Sequence, residues 1–265
     1  MSLSSAADQL VIKRLNLDSS WFLSWGGASL VLDPWLVGSE VDIARWFNEQ
    51  WHARDPIAPA DLPPFDAVVV TQSYSDHCHE HTLRAMPVDR PILVVPKVRT
   101  RLAGKVSQPL EDIPDAETGA QHPMQGLRVS FFHPGRKLDP VYHALLMEHG
   151  KDYVLYAPHG FSLNPQQLKR LAGKTCRLLM TTCMTYRLPA LLGGTVNPGL
   201  DAAVRLARQV DAKCIVDTHD EDKRAKGLVQ RLARVVRPDR QQIQAAFSPA
   251  TDFLQTDGYE PLLVP

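Results

Sequence analysis

The sequence predicts a mixed α/β domain, and three features carry that expectation. Residues 11–15, 21–25 and 28–32 are short apolar or alternating runs, and Gly26-Gly27 joins the last two, which marks an antiparallel start closed by a tight hairpin. Val68, Val69 and Val70 form a continuous β-branched run, the pattern of a strand covered on both faces. From residue 91 onward, apolar strand patterns alternate with amphipathic helix patterns. With 265 residues, 44% of them hydrophobic and 22% charged, the chain can bury a large core, and one domain over residues 1–265 is expected.

Taken in order, the strand at 28–32 runs into Asp33-Pro34-Trp35-Leu36, where Pro34 ends the strand and holds Asp33 extended. An acid at a strand end can support a site, although a turn-forming Asp is the commoner case. Residues 42–51 place Ile43, Trp46, Phe47 and Trp51 at helical spacing, which predicts a helix with an apolar packing face. The proline-rich stretch 56–64 is a loop leading to the strand at 68–70. Beyond it come a strand at 91–95, a basic helix or turn near 97–103, and a connection over 105–126 with one weak strand. Strands follow at 127–132, 141–148 and 152–157, and then a helix over 164–172 with Asn164 as cap and Pro165 in its first turn. A strand at 177–181 leads through a loop at 183–194 to a helix over 201–210, with Ala203, Val204, Ala207 and Val210 on one face. A strand at 214–216 precedes a helix over 223–236 with Leu228, Val229, Leu232, Val235 and Val236 inward, and the tail reads as short extended pieces.

Composition narrows the partners. Lys+Arg and Asp+Glu both number 29, so the chain lacks the basic excess that a nucleic acid or anionic membrane would select. The local run of Lys223, Arg224, Lys226, Arg231 and Arg234 reads as a solvated helix face. No apolar stretch approaches the ~20 residues of a membrane span, and the first residues lack the pattern of a signal peptide, so a cytoplasmic protein acting on a small molecule is expected. The four cysteines have no CxxC spacing, and Cys176, Cys183 and Cys214 lie in apolar runs as core thiols.

Chemistry concentrates after the strand at 68–70, where Thr71-Gln72-Ser73-Tyr74-Ser75-Asp76-His77-Cys78-His79-Glu80-His81 follows without a break. Imidazole nitrogen and carboxylate oxygen together suit Zn, Fe or Mn, whereas the plain alternative is a polar loop rich in histidine. Three other predicted strand ends also deliver such groups: His133, His159, and Asp217 with His219. Strand ends converging on one edge of a sheet are where layered α/β proteins place their sites. His52, His122, His143 and His149 have no such placement and read as structural or exposed.

This succession of hairpin, Leu32-Asp33-Pro34-Trp35, strand and Thr71 to His77, with His133, Tyr156-Ala157-Pro158-His159-Gly160 and His219 beyond, resembles the metallo-β-lactamase superfamily over about residues 10–235. The early Asp-Pro-Trp is similar to its lactonase-like hydrolases. The resemblance implies a four-layer αβ/βα sandwich of two mixed β-sheets flanked by helices, with a metal site at the rim between the sheets. The family motif is Thr-His-x-His-x-Asp-His, and Gln72 and Tyr74 stand here in place of its first two histidines. The first metal position, to which His133 would also belong, has thereby lost two of its ligands. The second would keep Asp76, His77 and His219, with His159 in place of a bridging carboxylate and His79 as a substitute ligand. The resemblance therefore implies at most one divalent metal (Zn, Mn or Fe) and hydrolysis of an ester, lactone or phosphoester. Asp76 would act at the reaction centre, Tyr74 would donate to a developing oxyanion, and Gln72 would orient substrate or water. Two alternatives stay open: a catalytically inactive member that binds a small molecule or a protein, and a metal-free acid/base enzyme using His77 and Asp76.

Overall fold

The computed structural model describes residues 8–134 and 143–265. In chain order the strands begin with β1 (Leu10–Arg14), β2 (Trp21–Trp25), β3 (Ala28–Leu32), β4 (Glu40–Asp42), β5 (Asn48–Trp51) and β6 (Ala67–Val70). Helix α1 (Glu80–Ala85), β7 (Ile92–Val94), α2 (Pro96–Leu102), β8 (Leu110–Asp112), β9 (His122–Met124), β10 (Leu127–Phe132), β11 (Ala144–His149) and β12 (Asp152–Ala157) follow. Next come α3 (Pro165–Leu171), β13 (Thr175–Thr181), β14 (Thr185–Arg187), β15 (Thr195–Pro198), α4 (Leu200–Val210) and β16 (Cys214–Asp217). The chain closes with β17 (Arg224–Lys226), α5 (Leu228–Leu232), β18 (Arg234–Val236), α6 (Arg240–Phe247), β19 (Asp252–Phe253) and β20 (Leu262–Val264).

Two seven-stranded sheets, ordered β20-β1-β2-β3-β6-β7-β8 and β19-β16-β13-β12-β11-β10-β9, share one plan. Each has three antiparallel pairings on one side and three parallel pairings on the other. The parallel pairings need crossovers: α1 to α4 and α6 supply five of them, and the connection from β3 to β6 runs through the β4–β5 hairpin instead. One core cluster joins the facing sides of both sheets, with Leu30, Val69, Val154, Tyr156, Met180 and Val216 among its members. A second packs the other side of the β16-β13-β12 region under α4 and α6, through Leu155, Leu179, Ala203, Leu206, Ile243 and Phe247. Helix, sheet, sheet and helix give the four-layer sandwich. The parallel strands of both sheets end on the rim that carries the histidines.

Local chemistry explains the elements around that rim. Gly26 and Gly27 have φ of 61° and 80°, the pair of positive values that closes a two-residue hairpin with the right twist. All four residues of β6 are buried, as its β-branched run requires. Asn164 and Gln167 form a reciprocal capping box at α3.

Several expected elements differ. Residues 42–51 form the β4–β5 hairpin, not a helix, and together with β17 make a small sheet ordered β17-β5-β4; Ile43 and Trp46 are exposed at its tip. The helical spacing there was coincidental, because Asn48 spends its side chain bridging Glu40 and Asp42 across the hairpin. The expected helix over 223–236 is split into β17, α5 and β18, with Leu228, Leu232, Val235 and Val236 partly or largely exposed; β18 joins a third sheet ordered β15-β14-β18. Its start is broken by Gly227 at φ 116°, where a Cβ would come within 2.5 Å of the Phe47 carbonyl oxygen. The connection over 105–126 carries two strands, β8 and β9, and the tail contains α6 in addition to its extended pieces. Asp33 is left-handed (φ 43°), not extended. Val141 and Tyr142, the expected start of the β11 strand, lie outside the described residues, and the strand runs from Ala144 to His149.

Candidate metal centre

His77, His159 and His219 meet between the two sheets, with one nitrogen of each lying within 4.8 Å of the others, and all three are buried. The backbone brings each one in by a specific device. After β6, the Tyr74 carbonyl accepts from the amides of His77 (3.1 Å) and Cys78 (2.7 Å), and this tight turn swings Asp76 and His77 inward. After β12, Gly160 donates to the Ala157 carbonyl at φ 77°, and a Cβ there would sit 2.8 Å from Pro198 Cγ, so only glycine lets His159 pack beneath β15. After β16, His219 has a left-handed φ of 60°, held because its amide donates to the Asp18 carbonyl at 2.9 Å.

The second nitrogen of each ring fixes its tautomer. His77 Nδ1 lies 2.8 Å from Asp33 Oδ2, His159 Nδ1 lies 2.7 Å from Asn197 Oδ1, and His219 Nδ1 lies 2.7 Å from Asp18 Oδ1. Each partner is an acceptor, so each Nδ1 carries a hydrogen and each Nε2 points inward, able to bind a metal once any proton on it has left. The Nε2 atoms of His77 and His159 are only 2.9 Å apart. Two lone pairs at that distance repel unless a proton or a cation lies between them. His219 Nε2, also buried, has no hydrogen-bond partner although Asp76 Oδ2 is 3.2 Å away; Asp76 Oδ2 is also 3.9 Å from His77 Nε2. Three convergent imidazole lone pairs and one carboxylate are the donor set of a mononuclear site for zinc or a related transition metal, so these residues fit the metal that the fold implies.

Electrostatics support the same picture. Burial and the neighbouring rings of His219 and His77 hold His159 well below the ordinary histidine range, so it is neutral. Burial disfavours the charged form of His219, but Asp18 more than offsets this and pushes it up to about 9. Burial likewise opposes ionisation of Asp76, and His77, His219 and Lys223 overcome it, holding its carboxyl well below the usual range.

Asp33 sits behind His77 and accepts four hydrogen bonds: Thr71 N and Thr71 Oγ1 at 2.7 Å each, His77 Nδ1 at 2.8 Å, and Tyr156 OH at 2.9 Å. It therefore supports the site, against its commoner use in turns, and it ties the first sheet to β12 of the second. Asp18, Asn197, Lys223 and the Glu40–Ser75–Asp42 group were not legible as site residues. The Ser75 hydroxyl lies between Glu40 Oε2 and, at 2.8 Å, Asp42 Oδ1. Since one hydroxyl donates one proton, the second carboxyl must donate back; burial and the nearby Asp42 push Glu40 up to about 8, which lets it hold that proton. Lys223, expected on a solvated helix face, is instead only 13% exposed, with Nζ 2.8 Å from Asp18 Oδ2. Its only sequence signal is its position four residues past His219 in a stretch of acids.

The remaining expected residues fall as follows. Tyr74 is partly exposed at the mouth, near Asp42 and Asp76; burial and these carboxylates raise its phenol, which stays protonated. Gln72 is buried, and neither atom of its amide has a protein partner. His79 does not join the cluster: it caps α1, with Nδ1 accepting from Thr82 N (3.3 Å) and Thr82 Oγ1 (2.9 Å) and Nε2 facing the Ser39 carbonyl, and burial lowers it to about 4. His81 is exposed. His133 is exposed and lies 3.7 Å from Asp115, away from the centre.

Comparison with known proteins agrees with this architecture. The profile of the β-lactamase superfamily domain matches residues 17–219. A search of curated protein sequences finds no match. Among solved structures, the isothiocyanate hydrolase from Delia radicum gut bacteria is similar at 17% identity and TM-score 0.66, over 95% of this chain and 98% of that one. The metallo hydrolase Igni18 from the hyperthermophilic archaeon Ignicoccus hospitalis is similar at 12% identity and TM-score 0.66, over 97% and 99%. CmlA, a diiron β-hydroxylase from Streptomyces venezuelae, is similar at 13% identity and TM-score 0.64, over 98% of this chain and 55% of that one. Likeness at such identities shows the fold, and the family profile, spanning most of the chain, supplies the rest: this chain belongs to the metallo-β-lactamase superfamily.

Proposed function

We propose that the chain is a metal-dependent hydrolase of a small-molecule substrate, working with one divalent cation held by Asp76, His77, His159 and His219. The observation that carries this reading is the common tautomer of the three rings, each locked by a buried acceptor on Nδ1 so that Nε2 faces the same point. A cation bound there would supply Lewis acidity and lower the pKa of a coordinated water toward neutrality.

The chain's own groups frame that chemistry. Asp76 is ionised and reaches the centre from its open side, where it can accept a proton. Tyr74, protonated and partly exposed, is placed to donate to a developing oxyanion, and the unpartnered Gln72 amide offers a donor and an acceptor to water or substrate. Asp18, Asp76 and Asp42 face one lysine, so the surroundings favour an uncharged acyl-type electrophile such as an ester or lactone over a phosphoester dianion. The similarity to an isothiocyanate hydrolase adds another uncharged electrophile worth assaying.

Metal analysis tests the reading. Protein purified without chelator, or reconstituted with Zn, Mn or Fe, is expected to hold one equivalent, and His219→Ala and Asp76→Ala are each expected to lower it. Absence of stoichiometric metal after reconstitution would refute the proposal. Loss of activity in these variants in a protein without metal would favour the acid/base alternative.

A further inference from the structure

Asp18, Asp76 and His219 form a second group of candidate ligand atoms within 4.8 Å of one another, beside the three histidines and sharing two residues with the site proposed above. Two carboxylates this close, one fully buried and one 17% exposed, cannot both stay ionised without a neighbouring cation. The cation present is the ammonium of Lys223. Its Nζ lies 2.8 Å from Asp18 Oδ2 and 3.9 Å from Asp76 Oδ2, and the Trp35 ring backs it at 5.5 Å. The other oxygen of Asp18 is spent on His219 Nδ1. His219 Nε2 lies 3.2 Å from the same Asp76 oxygen, so Asp76 stands between the histidine position and the Lys223 position and is shared by both.

Resting on the single-metal reading, we propose that Lys223 stands in for a second divalent cation and keeps the centre mononuclear. An ammonium supplies a compact positive charge and directed N–H donors, and it neutralises the carboxylates without exchanging with solvent metal. It offers no vacant coordination position, so Lewis-acid chemistry stays with the histidine side of the pair. The strongly held charge agrees with its surroundings: burial opposes the ammonium, and Asp18 and Asp76 outweigh burial and raise its pKa. Gln72 and Tyr74 in place of two histidines remove one way of holding two metals; Lys223 closes the other, by occupying the oxygen-lined position.

Metal stoichiometry tests this without any substrate. Wild type and Lys223→Arg, which keeps the charge, are expected to bind one Mn2+ per chain in equilibrium dialysis read by elemental analysis. Lys223→Met, similar in length and uncharged, is expected to bind two and to show the spin-coupled Mn2+ signal of a pair in electron paramagnetic resonance. Two equivalents in wild type, or one in a folded Lys223→Met, overturns the proposal. No metal in wild type overturns the single-metal reading and this inference with it. Should Lys223→Met fail to fold without metal, the proposal requires Mn2+ to restore its circular dichroism and melting at two equivalents, and failure of that rescue counts against it. The double variant Asp18→Asn/Lys223→Met, which lacks the charge pair, is expected to fold without rescue and to bind one.

Discussion

Replacing Asp33 by asparagine tests the claim that a buried carboxylate sets the tautomer of His77. The perturbation is nearly isosteric, so its cost comes from hydrogen bonding. Oδ2 accepts from Thr71 Oγ1, His77 Nδ1 and Tyr156 OH, whereas Oδ1 accepts only from Thr71 N. The amide of Asp33→Asn will turn its oxygen toward the three donors and its NH2 toward Thr71 N. Three bonds survive as neutral ones, each weaker by about 0.5–1 kcal/mol, and one buried N–H loses its acceptor at a cost of about 1–3 kcal/mol. The sum is about 2.5–6 kcal/mol, or a fall in melting temperature of roughly 10 °C for a chain of this size. His77 becomes a less basic ligand with a looser ring, so metal affinity should drop about 10–100-fold. Urea unfolding of the metal-free protein reads the first effect, and competition with a chelator of known affinity reads the second. A loss below about 1 kcal/mol together with a less than threefold change in affinity would refute the reasoning, because it would mean that neither the charge nor the tautomer depends on Asp33.

Three further outcomes follow from the same geometry. His219 titrates near 9 in the folded protein and near 6.5 unfolded, so its charge stabilises the metal-free protein fully below pH 6.5 and this contribution, about 3 kcal/mol, is lost as pH rises to 9; flat stability across that range in urea titrations would refute the assignment. Glu40, raised from 4.5 to about 8, works the same way from a different cause: the folded state holds a proton that the unfolded state has released, so Glu40→Gln should be more stable than wild type at pH 8–9 and equal to it near pH 4.5. Asn197→Leu removes the amide oxygen that accepts from His159 Nδ1 and should weaken metal binding about tenfold, with Asn197→Asp retaining it, in the same chelator competition.

How much of this was readable in advance depends on the range of the interaction involved. The Val68 to Val70 run, the Gly26-Gly27 hairpin and the Asn164 cap are decided within a few residues, and each formed where its local pattern places it. The strand-end histidines were legible for a related reason: an apolar run that stops at a polar residue marks a rim. Residues 42–51 and 223–236 were misread because their apolar residues repeat at helical spacing by chance, while long-range pairings decide the outcome: β5 finds β17 some 170 residues away, and β18 finds β14. Asp18, Asn197 and Lys223 were invisible for the same reason. Each acts through a partner distant in sequence, 201 residues away for the Asp18–His219 bond and 205 for Asp18–Lys223, and nothing local distinguishes them from ordinary surface polar residues.

The charges around the centre predict that the chain keeps its fold with or without metal. Asp18, Asp33 and Asp76 are three buried or largely buried carboxylates gathered around three imidazoles, an arrangement that would repel itself apart without positive charge. Lys223 contributes one cation that never leaves, and His219, protonated up to about pH 9, contributes another that can. A divalent metal arriving at neutral pH must displace the proton of His219, because the Nε2 lone pair that it needs is the one the proton occupies. Loading at pH 7 therefore exchanges one positive charge for two, and the gain of a single charge is a small change for a shell already built of hydrogen bonds to Nδ1 atoms. The metal-free state keeps its ring orientations, and the proton on His219 holds the ligand position in the meantime. A weakly buffered titration with a pH indicator should accordingly register about one proton released per metal bound at pH 7 and about three-quarters fewer at pH 9.5. Release of no proton at pH 7 would place the metal away from His219 Nε2 and detach it from the three-histidine centre.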